Sequence, residues 1–318
     1  MTGMTHLNRT PGKALMLPAA LLLAAQERSA AFRSAAQSAG AALPSDLQES
    51  EIDRVFAFSE YVAMQCIRNP TLLGELALSG DLKRRYEDGE YEQKVAAEAC
   101  AAADESSLST RLRRLRHREM VRIAWRELSG RAELFETMKA LSDFADACIR
   151  GALGFLDARL RRETGAPRGA DGMRLELVVL GMGKLGGEEI NFSSDIDLVF
   201  AYPEAGETDG EKPASNEVFF TRLARRLIDM LGKATADGFI FRVDARLRPY
   251  GESGPLVMSF DAMEYYYQMH GREWERYALI KARVVAGADP FGKMLMERLR
   301  PFIYRRYLDY GTFESIRE

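Results

Sequence analysis

Asp195 and Asp197 flank a single isoleucine at the mouth of the apolar run Ile196-Asp197-Leu198-Val199-Phe200. Side chains of a strand alternate between its faces with period two, so the two carboxylates project the same way. Like charges held side by side repel unless a proton or a cation lies between them. A hard divalent cation with oxygen ligands, Mg²⁺ or alternatively Mn²⁺, is the natural occupant. Upstream, a largely apolar run, Leu175 to Leu180, feeds Gly181-Met182-Gly183-Lys184-Leu185-Gly186-Gly187. Glycines allow a tight turn and close approach to a ligand, and at a helix start they aim backbone N–H groups at phosphate. Together the two stretches suit metal-dependent phosphoryl or nucleotidyl transfer.

Such a site needs a third carboxylate, and Asp244 is the best candidate. It lies in Phe241-Arg242-Val243-Asp244-Ala245-Arg246-Leu247-Arg248-Pro249, where Arg242, Asp244, Arg246 and Arg248 are expected on one period-two face. Arg246 and Arg248 suit phosphate contacts, because a planar guanidinium engages two oxygens. The plainer alternative makes Asp244 an ion-pair partner of these arginines. The glycine turn is not a P-loop, since no Gly-Lys-Ser/Thr closes it. It fails the dinucleotide-binding pattern too, for want of a βαβ unit of the right length.

Two further charged stretches need weighing. Arg272, Arg276, Lys281 and Arg283 put four cations on or beside a helix expected from Glu273 to about Val285; pairing with Glu273 and Glu275 and binding of phosphate weigh evenly there. His270 beside Gly271 reads as a helix cap. The run Arg111-Leu112-Arg113-Arg114-Leu115-Arg116-His117-Arg118 keeps its leucines at helical spacing and follows an acidic segment. It reads as a solvated or ion-paired helix face rather than a nucleic-acid surface.

The elements that must position these residues change character along the chain. Residues 1–45, rich in alanine and serine, read as a weakly ordered extension. Within them Arg9 and Lys13 precede an apolar run, the outline of a signal peptide; a short helix opening at Pro18 is the favoured reading, and the run is too short to span a bilayer. Residues 46–165 show helical spacing throughout, including a long helix from Leu108 to Leu128 ended by Gly130, and are expected to form a helical domain. Turn residues from Gly165 to Gly172 mark a boundary. From 170 to 290 apolar strands alternate with helices: strands at 175–180, 196–202, 238–247 and 256–259, and helices at 216–233 and 261–270. Residues 291–318 read as the start of a following helical region. The last pattern has no glycine stop, so the chain reads as a fragment of a longer protein.

Composition sets the outer limits. The chain has 318 residues, 47% hydrophobic and 29% charged, with a net charge of −3. That length supports two or three domains, and the charge gives no pull toward nucleic acid or anionic membrane. Cys66, Cys100 and Cys148 are three in number, with no CxxC pair, which argues for reduced thiols and a cytoplasmic location rather than a disulfide framework or zinc site.

A glycine turn followed by Asp-apolar-Asp on a strand resembles the nucleotidyltransferase superfamily related to polymerase β, in which the loop holds phosphates and the aspartates hold two metal ions. Lys184 departs from the serine usual there. The longer motifs are more specific. Gly181 to Phe200, Val243 to Leu256, Gly271 to Arg283, Arg68-Asn69-Pro70 and Arg118 to Trp125 closely resemble the glutamine synthetase adenylyltransferase/adenylyl-removing family. The resemblance implies an α+β fold: a helical segment followed by a polymerase β-like domain with a small mixed sheet flanked by helices. The lead-in Asn191-Phe192-Ser193-Ser194 and the upstream helices look like the N-terminal, adenylyl-removing half. The implied reaction is phosphorolysis of adenylylated glutamine synthetase, with phosphate as co-substrate and ADP as product. The implied site places Asp195, Asp197 and Asp244 on Mg²⁺ and Gly183, Lys184, Gly186, Ser194, Arg246 and Arg248 by the nucleotide or phosphate. Control by the PII signalling protein and glutamine is implied as well. Forward transfer of AMP from ATP, and a non-catalytic nucleotide-sensing module, are the alternatives.

Overall fold

A computed structural model describes residues 18–41 and 47–304. They fall into two compact units, Met1–Arg84 with Ala124–Ala132, and Arg85–Ile123 with Glu133–Glu318.

The first unit is helical. Its helices are α1 (Ala19–Ser38), α2 (Glu49–Phe58), α3 (Glu60–Arg68) and α4 (Leu72–Leu78). Helix α1 lies within the stretch expected to be weakly ordered. It starts after Pro18, as the sequence suggests, and buries Ala25, Phe32 and Ala36. Phe32 meets Phe56 edge to face at 5.7 Å, and Phe56 in turn meets Trp125 at 6.4 Å. Burying one phenylalanine contributes roughly 1.5–3 kcal/mol, enough to order a helix whose composition alone is unremarkable. The Trp125 indole N–H donates to Glu51 at 2.6 Å, so its one polar atom is satisfied. No helix among the described residues is long and apolar enough to cross a membrane.

The second unit holds the sheet. Its helices before the sheet are α5 (Glu90–Cys100), the part of α6 (Glu105–Leu128) up to Ile123, and α7 (Leu134–Thr164). There follow β1 (Val178–Met182), α8 (Gly183–Gly186), β2 (Ile196–Tyr202), α9 (Asn216–Gly232), β3 (Val243–Asp244), β4 (Val257–Ser259), α10 (Phe260–Met269), α11 (Glu273–Ile280), β5 (Arg283–Ala286) and α12 (Lys293–Ile303). Helices α5 and α7 therefore group with the sheet, not with a separate helical domain ending near residue 165.

Among the described residues the sheet is mixed and has five strands. Strand β1 pairs antiparallel with both β2 and β5, and β3 and β4 pair parallel with opposite ends of β2. Every residue of β1 is buried, and β2 is buried apart from half-covered Asp197. Such continuous apolar runs belong to strands covered on both faces. Leu141, Phe144, Cys148, Ala152 and Leu156 of α7, with Phe219, Phe220, Leu223 and Leu227 of α9, complete the same core. Ser215 and Ser259 cap α9 and α10 by accepting from Val218 N–H and Ala262 N–H, both at 3.3 Å.

Two expected elements are corrected. The strand expected over 238–247 pairs only at Val243–Asp244, because Asp244 Oδ1 accepts from the Arg246 N–H at 2.8 Å and turns the chain away. Arg242, Asp244, Arg246 and Arg248 thus share no extended face. The helix expected to reach Val285 ends at Ile280, and Arg283-Val284-Val285-Ala286 adds to the sheet beside β1. Two adjacent valines favour a pleated strand over a helix turn.

Candidate active site

The carboxylates come together through strand register. Asp195 precedes β2, Asp197 is its second residue, and Asp244 ends β3 directly opposite Asp197 in the parallel pairing. Neighbouring strands lie about 4.8 Å apart, so Asp197 and Asp244 are adjacent on one face. The side chain of Asp244 is 17% exposed and that of Asp195 49%. Burial first, then the charges of Asp244 and Asp195, push the Asp197 carboxyl above its usual range, with Arg246 opposing. Asp244 moves the other way, chiefly because the Arg246 guanidinium donates to it. Two adjacent carboxylates driven apart in this manner mark a place where charge has been concentrated.

The glycine turn closes over the same point. Strand β1 ends with Met182 opposite Asp197, and α8 begins at Gly183. Gly183 has φ of +53°, and a Cβ there would lie 3.0 Å from Asp197 Oδ2. A side chain would therefore be strained by its backbone and pressed against the acid. Gly186 serves another purpose: a Cβ would lie 1.9 Å from the Lys281 carbonyl oxygen. Its lack of a side chain lets the α8 turn pack on the end of α11. Lys184, between them, is exposed.

A brace of charged groups holds this turn from behind. Arg283 donates to both Asp146 oxygens, at 2.6 and 3.2 Å, and to the Leu185 carbonyl at 3.0 Å. Asp146 on α7 is buried, and Lys281 pairs with Glu189. Arg276 is buried as well; it pairs with Glu273 and donates to the Phe302 carbonyl. Arg276, Lys281 and Arg283 are therefore all ion-paired, Arg276 with Glu273 as the sequence allows and the other two with acids outside the segment. His270 is the C-cap residue of α10.

The remaining candidates are placed as follows. Ser194 Oγ donates to Asn191 Oδ1 at 2.7 Å inside the turn before β2. Arg246 lies over Asp244, with its side chain 68% exposed. Arg248 donates to the carbonyls of Ala245, Glu252 and Gly254, so its fork shapes the loop. Three arginines of the α6 run have structural partners: Arg113 donates to the Lys233 carbonyl, Arg111 pairs with Glu98, and Arg118 pairs with Glu119. Sequence reasoning missed Asp146. Its position one helical stripe from Leu141 and Cys148 carries no mark of its partner, which is distant in sequence.

In donor type and register, Asp195, Asp197 and Asp244 fit a hard divalent cation. As their side chains stand, no three acidic, histidine or cysteine groups among the described residues are gathered for an ion. Arg246 donates to Asp244 and draws that acid toward itself, at 2.5 Å. Asp244 must turn from Arg246 to share an ion with Asp197.

Comparison with known proteins bears on this geometry. Residues 50–297 match the family model of glutamate-ammonia ligase adenylyltransferase. The chain is similar to the bifunctional glutamine synthetase adenylyltransferase/adenylyl-removing enzyme of Thioalkalivibrio sulfidiphilus, with 55% identity over 90% of the chain and 29% of the relative. It is similar also to the enzymes of that name from Pseudomonas putida, 52% identical over 86% of the chain and 28% of the relative, and Pseudomonas aeruginosa, 50% over 95% and 32%. The chain thus spans about a third of the length of these relatives.

Proposed function

Because the chain belongs to the glutamate-ammonia ligase adenylyltransferase family, we propose that it removes AMP from the adenylylated tyrosine of glutamine synthetase by Mg²⁺-dependent phosphorolysis. The observation that carries a nucleotidyl-transfer site is the register of Asp244 against Asp197, which sets a third carboxylate beside the Asp-x-Asp pair. The direction of reaction rests on the Asn191-Phe192-Ser193-Ser194 lead-in and the helices upstream, which resemble the adenylyl-removing half of the family.

In this reading an oxygen of inorganic phosphate attacks the α-phosphorus of the tyrosyl–AMP ester. The bond from phosphorus to the tyrosine oxygen breaks, the tyrosine oxygen takes up a proton, and the products are ADP and unmodified enzyme. Asp195, Asp197 and Asp244 would hold the divalent ions, which when bound neutralise charge on the phosphoryl oxygens and activate the attacking one. Gly183, whose lack of a side chain leaves the approach to Asp197 open, would let the nucleotide phosphate come close, with exposed Lys184 supplying a cation at the same turn. Arg246, released from Asp244, would contact phosphate. Arg248 is better read as a loop staple, since its donors are engaged by carbonyls.

Incubation of the chain with adenylylated glutamine synthetase, Mg²⁺ and phosphate is expected to release ADP. A modification that survives every phosphate concentration, with the protein folded and metal present, would sink this reading. Transfer of label from ATP onto unmodified glutamine synthetase would support the forward reaction instead. Regulation by a PII-type protein follows from the resemblance alone, and the site geometry does not bear on it.

A further inference from the structure

We propose that Arg242 is a positioning residue that fixes the aim of Asp195 and thereby assembles the carboxylate set. The role rests on the metal-site reading above and adds to it a residue that acts through Asp195.

Arg242 clasps the Asp-x-Asp motif from both sides. Its own carbonyl accepts from the Ile196 N–H at 2.9 Å, the residue between the two aspartates. Its guanidinium reaches back across the motif, Nε donating to Asp195 Oδ1 at 2.5 Å and an NH₂ group donating to the Ser193 carbonyl at 2.7 Å. One residue therefore holds positions 193, 195 and 196 at once. The turn is tied internally as well, since Asn191 Oδ1 accepts from the Ser193 N–H, the Ser193 hydroxyl and the Ser194 hydroxyl.

Asp195 needs such a hold. It stands outside the strand pairing that orders Asp197 and Asp244, and its side chain is about half exposed. An unrestrained carboxylate there would sample several rotamers, and each would point its oxygens elsewhere. The guanidinium is restrained in turn: it packs at 5.6 Å from the centre of the Phe239 ring, which Arg116 approaches at 5.0 Å. Phe239 thus gives the arginine a platform, and the planar fork gives the acid a fixed direction. Asp195 Oδ2 is not engaged by the Arg242 fork, which leaves one oxygen to face an ion while the other is held.

Geometry rather than stability is the contribution to expect. An exposed ion pair adds little to folding, whereas groups that orient metal ligands typically govern affinity or activity by about 10–100-fold. The test uses the whole chain and Mn²⁺ as probe, read by calorimetry or by the electron paramagnetic resonance of free ion, so that binding is measured apart from turnover. Wild type, Asp197→Asn, Arg242→Ala, Arg242→Lys and Phe239→Leu are compared. Arg242→Ala is expected to weaken Mn²⁺ binding about 10-fold and lower kcat about 10–100-fold, with the melting temperature nearly unchanged. Arg242→Lys keeps the charge but lacks the rigid planar fork that spans Asp195 and the Ser193 carbonyl, so it should recover less than half of the loss on a logarithmic scale. Phe239→Leu, which leaves Arg242 in place on a poorer platform, should show a smaller loss in the same direction. Mn²⁺ affinity and kcat within twofold of wild type in Arg242→Ala would overturn the assignment. Full rescue by lysine would overturn it too, because charge alone would then suffice, and so would an Arg242→Ala loss explained by unfolding together with an unaffected Phe239→Leu. Wild type that binds no Mn²⁺, or binds it equally after Asp197→Asn, would instead refute the underlying metal-site reading.

Discussion

Asp197→Asn is expected to make the metal-free protein more stable while abolishing its chemistry. Asp197 sits one strand spacing from Asp244, and Coulomb's law at about 5 Å gives about 0.8 kcal/mol of repulsion in a water-like medium and about 3 kcal/mol at an effective dielectric of 20. Arg246 lies over Asp244 and cancels part of this, and Asp197 is only half-buried, so the lower end applies: a gain of about 1 kcal/mol. For a unit of this size that raises the melting temperature by about 2–4 °C. The sign follows from the raised carboxyl. The folded protein holds the proton more tightly than the unfolded chain does. The destabilising charge is therefore absent below the ordinary carboxylate pKa near 4, grows as pH climbs toward the raised folded value, and is complete above it. The advantage of the asparagine should vanish in acid and grow as pH rises through the raised carboxyl's range. Thermal unfolding in chelator at a series of pH values measures it, and repetition with Mg²⁺ should stabilise wild type and not the variant. Turnover should fall by orders of magnitude. Equal or lower stability of Asp197→Asn at neutral pH, or equal stabilisation of both proteins by Mg²⁺, would refute the reasoning.

Other outcomes follow from the surroundings of the site. Asp146→Asn strips the charge that Arg283 faces on α7; since breaking a buried pair costs about 3–5 kcal/mol and Arg283 retains some exposure, a loss of about 2–3 kcal/mol is expected by denaturant titration. Asp146→Leu with Arg283→Met should recover most of that loss, and strict additivity of the two changes would count against the coupling. Gly186→Ala forces a methyl into the Lys281 carbonyl, so the turn must shift; reduced melting temperature and turnover together are expected, and unchanged values would contradict the packing. Phe32→Ala should destabilise the first unit by about 3–5 kcal/mol, seen as early loss of that unit in hydrogen exchange, while Mn²⁺ binding by the second unit persists.

Much of the architecture was legible because it depends on local pattern. Ile196–Tyr202, the amphipathic helix after Ser215 and the helices around Trp125 and Phe144 follow from period and capping, and each forms. The Asp-x-Asp pair announced itself by chemistry, since two acids at the mouth of an apolar strand have few structural uses. Asp244 could be named as a candidate third acid because it lay in a second strand-like stretch with interleaved arginines. Only the tertiary structure decided that it is the register partner of Asp197, since strand neighbours across 47 residues are chosen by the packed sheet and not by either segment. The same limit explains the corrections. Whether Arg283 continued a helix or joined β1 depended on an unpaired strand edge that no local pattern reveals. In sequence, Arg242, Arg246, Arg276 and Arg283 stand open alike between pairing with a nearby acid and contact with phosphate. Their roles separated only when folding gave each a different partner: Asp195, Asp244, Glu273 and Asp146. The sequence by itself determined which acids and glycines could do the chemistry; the fold determined which arginines hold them, because an ion pair is fixed by distance in space.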